Sequence, residues 1–262
     1  MGEVRVSVRA AGLNFRDVLN VLGMYPGEVA LGGEAAGVVV EVGPGVSRFV
    51  VGDRVLGLFG GAMGTVAVAD ERLLVGVPVG WSFVEAAAVP IVFATAFYGL
   101  VDLGGVRAGE SVLVHAAAGG VGMAAVQIAR YVGAEVFATA SCGKWGAVRG
   151  LGVAEGNVAS SRDVGFERVF GERTGGRGVD VVLNALAGEF VDASVRLLAP
   201  GGRFVEMGKA DVRSAEEVAA VRPGVSYRAF DLGEAGPERI GEILTEVMSL
   251  FAQGVLTLPP IR

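Results

Sequence analysis

The residues best placed to do chemistry lie in one stretch, 111–125, which reads SVLVHAAAGGVGMAA. It is a variant of G-x-G-x-x-G, with Ala117 in the first glycine place, then Gly119 and Gly122. Glycines there permit a tight turn and let backbone N–H groups approach a pyrophosphate, while the helix that follows turns its positive N-terminus to the same anion. Alone the motif is weak. Here it follows a predicted strand, opens a predicted helix and sits in a βαβ unit. Gly119, Gly120, Val121 and Gly122 are therefore candidate cofactor-binding residues.

The second strand of such a unit selects the dinucleotide. An NAD site usually ends that strand with Asp or Glu for the ribose 2′-OH. This strand runs out through TASCGK (139–144), with no carboxylate. Ser141 and Lys144, with Arg162 just past the third strand, form a candidate cradle for a 2′-phosphate, which favours NADPH over NADH.

Ligands of open α/β sheets bind beyond the carboxyl ends of the strands. Asn184, a candidate cofactor-binding residue, follows the fourth predicted strand, Lys209 the fifth and Asp231 the sixth. Lys209 and Asp231, on neighbouring strand ends, suit a proton-donor pair. On residue type alone, a surface ion pair is equally open. The Tyr25 phenol could protonate an enolate, although a tyrosine before Pro-Gly is more often a loop anchor. His115, on the first strand, is read as packing or cofactor contact rather than as a catalyst.

Two sets of elements must position these groups. Residues 1–91 give short strands at 4–8, 37–42, 54–59, 65–68 and 73–77, with one helix near 15–22. Closely spaced strands with glycine turns predict a β-rich, partly open barrel or sandwich. After a helical 93–101, strands at 111–116, 135–140, 157–160, 179–184, 203–207 and 226–230 alternate with helices at 121–131, 145–151, 166–174, 189–198 and 215–220. This alternation predicts a doubly wound parallel sheet. A last helix is read at 239–254. The expected domains are a substrate-binding one, 1–91 with 231–262, and a Rossmann NADPH-binding one, 92–230. Both ends look cut, as in a segment of something larger.

Composition narrows the function classes. The chain has 262 residues, 52% of them hydrophobic, enough for a real core and against wholesale disorder. Lys plus Arg is 22 and Asp plus Glu is 28, a net charge of −6, so a nucleic-acid partner is not expected. One cysteine and one histidine leave too few ligands for a zinc site of the usual kind. Mean hydropathy is +0.55, yet the longest charge-free stretch is 19 residues (111–129) and is broken by His115 and the glycine turn. Residues 86–101 contain Pro90 and fall short of the roughly 20 residues a bilayer span needs. The expectation is a cytoplasmic protein with strands buried on both faces and no membrane partner.

Residues 11–17 (AGLNFRD), 23–27 (GMYPG), 115–122 (HAAAGGVG) and 205–209 (VEMGK) together resemble the enoylreductase domain of modular type I polyketide synthases. That domain belongs to the medium-chain dehydrogenase/reductase superfamily, on its zinc-free, quinone-oxidoreductase-like branch, and the resemblance runs over essentially the whole chain. It implies NADPH-dependent reduction of an α,β-unsaturated acyl thioester held on an acyl carrier protein, with neighbouring synthase domains such as a ketoreductase. Zinc-dependent relatives carry Gly-His-Glu where this chain has Gly32, Gly33 and Glu34. The resemblance makes Tyr25 the tyrosine linked to a 2S α-methyl outcome, and Lys209 and Asp231 the proton donors. It places Asn14 and Thr95 near the nicotinamide, expected in a cleft between the two domains. The chain departs from the family in lacking a strand before Glu3 and a helix and strand after Leu256, and in having Ala185 where serine is common. The expected reaction is hydride transfer to the β-carbon and protonation of the α-carbon. The rival readings are a free-standing NADPH:quinone or enone reductase and a non-catalytic NADPH-binding scaffold.

Overall fold

The structure, a computed structural model, describes residues 2–24 and 30–261. The chain forms two compact units, Met1–Ala94 with Ala235–Arg262, and Thr95–Glu234.

The first unit is built on a five-stranded antiparallel sheet. Its strands are β1 (Glu3–Gly12), β2 (Glu34–Val42), β3 (Arg54–Leu58), β4 (Val66–Asp70) and β5 (Leu74–Gly76), in the order β4-β1-β2-β3-β5. Period-2 alternation drives it: Val4 and Val6 are buried while Arg5 between them faces out. They pack with Val39, Val55 and Leu74 in one core. Helix α1 (Phe15–Val21) follows β1, and α2 (Phe83–Ala87) is started by Ser82 and Glu85 in a reciprocal capping box. Strand β1 outruns its predicted 4–8, because two register shifts, at Arg5/Val6 and Val8/Ala10, let it bend and keep pairing with β2.

Helix α3 (Pro90–Phe97) begins at a proline, whose missing N–H is harmless in a first turn. The predicted helix 93–101 is corrected here: from Tyr98 to Leu103 the winding is π, a form that recurs at functional sites. By length and composition residues 83–103 could cross a bilayer, with hydropathy 1.8, but 61% of that window is buried in the fold.

The second unit alternates strand and helix. In chain order it holds β6 (Ser111–Val114), α4 (Gly120–Val132), β7 (Glu135–Ala140), α5 (Trp145–Gly150), β8 (Val158–Ser160), α6 (Gly165–Arg173), β9 (Val179–Asn184), α7 (Glu189–Leu197), β10 (Leu198–Glu206), α8 (Ala215–Val221) and β11 (Ser226–Ala229). The six parallel strands run β11-β10-β9-β6-β7-β8. Strand order reverses between β6 and β9, the doubly wound arrangement, with every residue of both strands buried. Strand β10 starts at Leu198 rather than near 203, with a register irregularity before Arg203 where Gly201 takes φ 74°. Phe137, Phe166, Phe170 and Phe204 fill the core on one sheet face.

Helix α9 (Gly236–Ala252) returns the chain to the first unit. It packs on β5, and Gly241 allows the approach, since a Cβ there would lie 2.3 Å from the Arg72 carbonyl oxygen.

Candidate active site

The turn from β6 into α4 is held tightly. Ala116 takes φ 49°, the one positive φ at a non-glycine among the described residues. The Ala117 N–H donates to the Thr139 carbonyl of β7 at 2.9 Å, and the Gly119 N–H donates to the Ala116 carbonyl at 2.8 Å. A Cβ on Gly122 would sit 2.3 Å from that carbonyl oxygen and 2.6 Å from Ala117 Cα. No side chain fits there, so strand and helix meet closely. Gly119 and Gly120 are exposed, and the first N–H groups of a helix have no intrahelical acceptors. The Gly119 N–H is taken by Ala116, but the N–H groups of the first helical turn, starting at the exposed Gly120, fit a dinucleotide pyrophosphate.

Strands β7 and β8 pair up to Ala140 and Ser160, so the residues just beyond them are neighbours. Ser141 is half-buried there, and Lys144 and Arg162 are exposed. The adjacent acid, Asp163, accepts the Gly165 N–H at 2.9 Å. Around the end of β7 the chain turns tightly, with Trp145 Nε1–H donating to the Ala140 carbonyl at 3.0 Å.

At the other end of the same edge, β9, β10 and β11 bring three predicted residues into one network. Lys209 Nζ donates to the Phe230 carbonyl at 2.5 Å and lies 3.6 Å from Asp231 Oδ2, both side chains about a third exposed. Asn184 is fully buried. Its amide donates to the Leu186 carbonyl at 2.8 Å and to Glu206 Oε2 at 2.6 Å, and its Oδ1 accepts the Leu186 N–H. Glu206, 1% exposed, is not among the candidates read from the sequence. The signal was available: a carboxylate inside the apolar run 204–207. Burial pushes its carboxyl up from 4.5 to about 7.

His115, read from the sequence as packing or cofactor contact, is enclosed in the fold. It is fully buried, with Nδ1 2.8 Å from Thr139 Oγ1 and Nε2 2.7 Å from Ser194 Oγ. Ser194 gives its own proton to the Phe190 carbonyl, so the ring donates from Nε2 and accepts at Nδ1. Burial drives its pKa down from 6.5 to about 3. The neutral ring ties β6 to β7 and α7.

In the first unit, Asn14 lies at the start of α1. Its Nδ2 donates 2.7 Å to Glu34 Oε1, and the Ile91 N–H donates 2.8 Å to Glu34 Oε2. Glu34 is 2% exposed, and burial raises its carboxyl to about 7. Asp17 accepts the Gly32 N–H at 2.8 Å and the Asn14 N–H at 2.9 Å. A Cβ on Gly33 would lie 2.8 Å from Ile91 Cδ1. Among the described residues no three His, Cys, Asp or Glu side chains gather to hold a metal. Thr95 is half-buried on α3. Tyr25 lies outside the described residues.

Two family models match the chain: an alcohol dehydrogenase GroES-like domain over residues 1–79 and a zinc-binding dehydrogenase over residues 120–244. The crystal structure of CurK enoyl reductase is 44% identical and superposes with a TM-score of 0.94, covering 99% of this chain and 82% of that one. The chain belongs to the enoylreductase family of the medium-chain dehydrogenase/reductase superfamily. The pikromycin polyketide synthase component PikAII of Streptomyces venezuelae is 62% identical over 99% of this enoylreductase-family chain, which spans only 7% of PikAII's length. The quinone oxidoreductase of Escherichia coli, solved in complex with NADPH, is 30% identical, with a TM-score of 0.89 and coverage of 98% and 81%.

Proposed function

We propose that the chain is the enoylreductase of a polyketide synthase: it uses NADPH to reduce the α,β double bond of an acyl thioester that a phosphopantetheine arm presents on an acyl carrier protein. One observation carries the reading. A single carboxyl edge of the parallel sheet bears a glycine turn fit for a pyrophosphate at β6 and an ammonium–carboxylate pair at β10 and β11. The relatives support it, because CurK and PikAII are by name an enoyl reductase and a polyketide synthase component.

Gly119, Gly120, Val121 and Gly122 would hold the pyrophosphate, Ser141, Lys144 and Arg162 the 2′-phosphate, and Asn14 and Thr95 would lie beside the nicotinamide. Asn184 supports the site through its hydrogen bonds rather than offering a free amide. Bound NADPH supplies a hydride to the β-carbon. As the thioester oxygen gains enolate character, local hydrogen-bond donors stabilise it. The α-carbon takes its proton from Lys209, held by Asp231 and the Phe230 carbonyl, or from Tyr25 or water. Neighbouring synthase domains and the cytoplasm are the proposed setting.

The test is loss of NADPH absorbance with crotonyl and 2-methylcrotonyl pantetheine thioesters, with NADH alongside. NADPH oxidation in preference to NADH is expected; turnover of quinones but not of thioesters would move the chain to the quinone-reductase reading. Lys209→Ala is expected to lower kcat on the order of 10²-fold with little change in the KM for NADPH. A wild-type rate removes the lysine from the scheme, and an unchanged rate and α-methyl configuration in Tyr25→Phe removes the phenol. The Lys144→Ala/Arg162→Ala pair is expected to raise the KM for NADPH roughly tenfold or more while leaving that for NADH unchanged. Equal effects on both cofactors would show that these cations do not read the 2′-phosphate.

A further inference from the structure

We infer that Glu206 is the positioning residue for Lys209: one buried carboxylate locks the three strand ends that present the ammonium group. The inference rests on the proposed function for the role of Lys209, but not for the geometry. Glu206 stands directly opposite Asn184 in the β9–β10 register, and its Oε2 accepts the Asn184 amide. Its Oε1 accepts the Gly208 N–H at 2.6 Å, fixing the peptide next to Lys209. Its backbone carbonyl accepts the Phe230 N–H at 3.0 Å, and the Phe230 carbonyl in turn holds Lys209 Nζ. The peptide beside the lysine and the carbonyl that accepts from its Nζ are thus both tied to this one residue.

Above about pH 7, where the group is ionised, both oxygens accept, and the arrangement needs both. Two N–H donors converge on the carboxyl group, and Gly208 keeps the space open, since a Cβ there would lie 2.7 Å from Glu206 Oε1. A glutamine has the same shape but only one acceptor oxygen, so in Glu206→Gln an NH2 group must face either Asn184 or Gly208. The lysine then loses its place. Displacement of a reacting group by about 1 Å is enough to slow a step roughly 10²-fold.

The sequence supplies the readout. Lys144 and Lys209 are the chain's two lysines, so lysine-selective isotope labelling yields two side-chain NMR signals, assigned by the loss of one in Lys209→Ala. In Glu206→Gln the Lys209 signal is expected to move while that of Lys144 stays, with kcat down roughly 10²-fold and the KM for NADPH within about twofold. The same substitution made on top of Lys209→Ala is expected to slow turnover no further. Asn184→Asp combined with Glu206→Gln reverses the donor and acceptor of that bond, with Oδ2 of the new carboxyl, protonated, still donating to the Leu186 carbonyl, while Gln Oε1 still accepts the Gly208 N–H. This double variant is expected to restore the Lys209 signal and most of kcat, and it covers the case in which the single variant folds poorly. An unmoved Lys209 signal, or an equal slowing with and without Lys209, overturns the inference. If Lys209→Ala alone turns over at the wild-type rate, the proton-donor reading fails, and the NMR signal still decides whether Glu206 positions the lysine.

Discussion

Gly122→Ala is expected to destabilise the chain by at least about 3 kcal/mol and to abolish measurable NADPH binding. The added Cβ would lie 2.3 Å from the Ala116 carbonyl oxygen and 2.6 Å from Ala117 Cα, both main-chain atoms that no rotamer change can move. The turn cannot swing away. Ala117 N–H is bonded to β7, and the core of β6 is buried on both faces. Helix α4 must therefore shift as a body, carrying off the N–H groups assigned to the pyrophosphate. Gly146, inside α5 with nothing within 4 Å of a Cβ, is the control. Gly146→Ala is expected to be neutral or to gain about 0.5–1 kcal/mol, because alanine is the better helix former. Thermal melts and a cofactor titration check both. Wild-type stability and binding in Gly122→Ala would mean that strand and helix are not in contact as described.

Stability is expected to fall as pH rises from about 5 to about 7.5, by a few kcal/mol. Unfolded, the carboxyls of Glu34 and Glu206 lose their protons near 4.5; folded, burial keeps them protonated to about 7. The native state therefore binds more protons across that window, and raising the pH favours unfolding. A rise from 4.5 to about 7 is about 3 kcal/mol for each group. His115 has the opposite sign. Its pKa falls from 6.5 to about 3, so its contribution is complete above 6.5 and is lost as the pH drops. Between 4.5 and 6.5 two carboxyls outweigh one imidazole, and from 6.5 to about 7 the carboxyls act alone. Below 4.5 the histidine dominates, joined by Glu110 and Asp211, whose carboxyls Arg203 and Arg213 hold below their usual range. Denaturation across this range checks the slope. The Glu34→Gln/Glu206→Gln variant is expected to reverse it up to about pH 6.5. A wild-type profile that is flat or rises from 5 to 7.5 would mean that both glutamates are more solvated than they look.

Much of the site was legible because it is local. The glycine turn, the missing acid after β7 and the cations Lys144 and Arg162 can be read from neighbours in the chain. Lys209 and Asp231 were legible as strand-end residues, and their closeness follows once β10 and β11 pair in parallel. Glu34 and Glu206 were not. Each is one acid in an apolar run, and its meaning depends on which amides meet it: Asn14 and Ile91 for the first, Asn184 and Gly208 for the second. The π winding after Phe97 was equally hidden. There a Cβ at Gly99 would lie 3.2 Å from both Leu183 and Phe230, partners far along the chain.

The sequence by itself determined the architecture and the glycine turn proposed to bind an anion. Periodicity and glycine placement act through the backbone within a few residues, and neither needs a distant partner. Only the tertiary structure decided which polar groups work together. Asn184 and Glu206 are 22 residues apart, and Lys209 and Phe230 are 21 apart. Whether a carboxyl there is an ordinary acid or one held near 7, and whether His115 is a base or a neutral strut, depends on the water removed from around it. Desolvation is the sum over every packed neighbour, and it exists only once the strands have closed on one another.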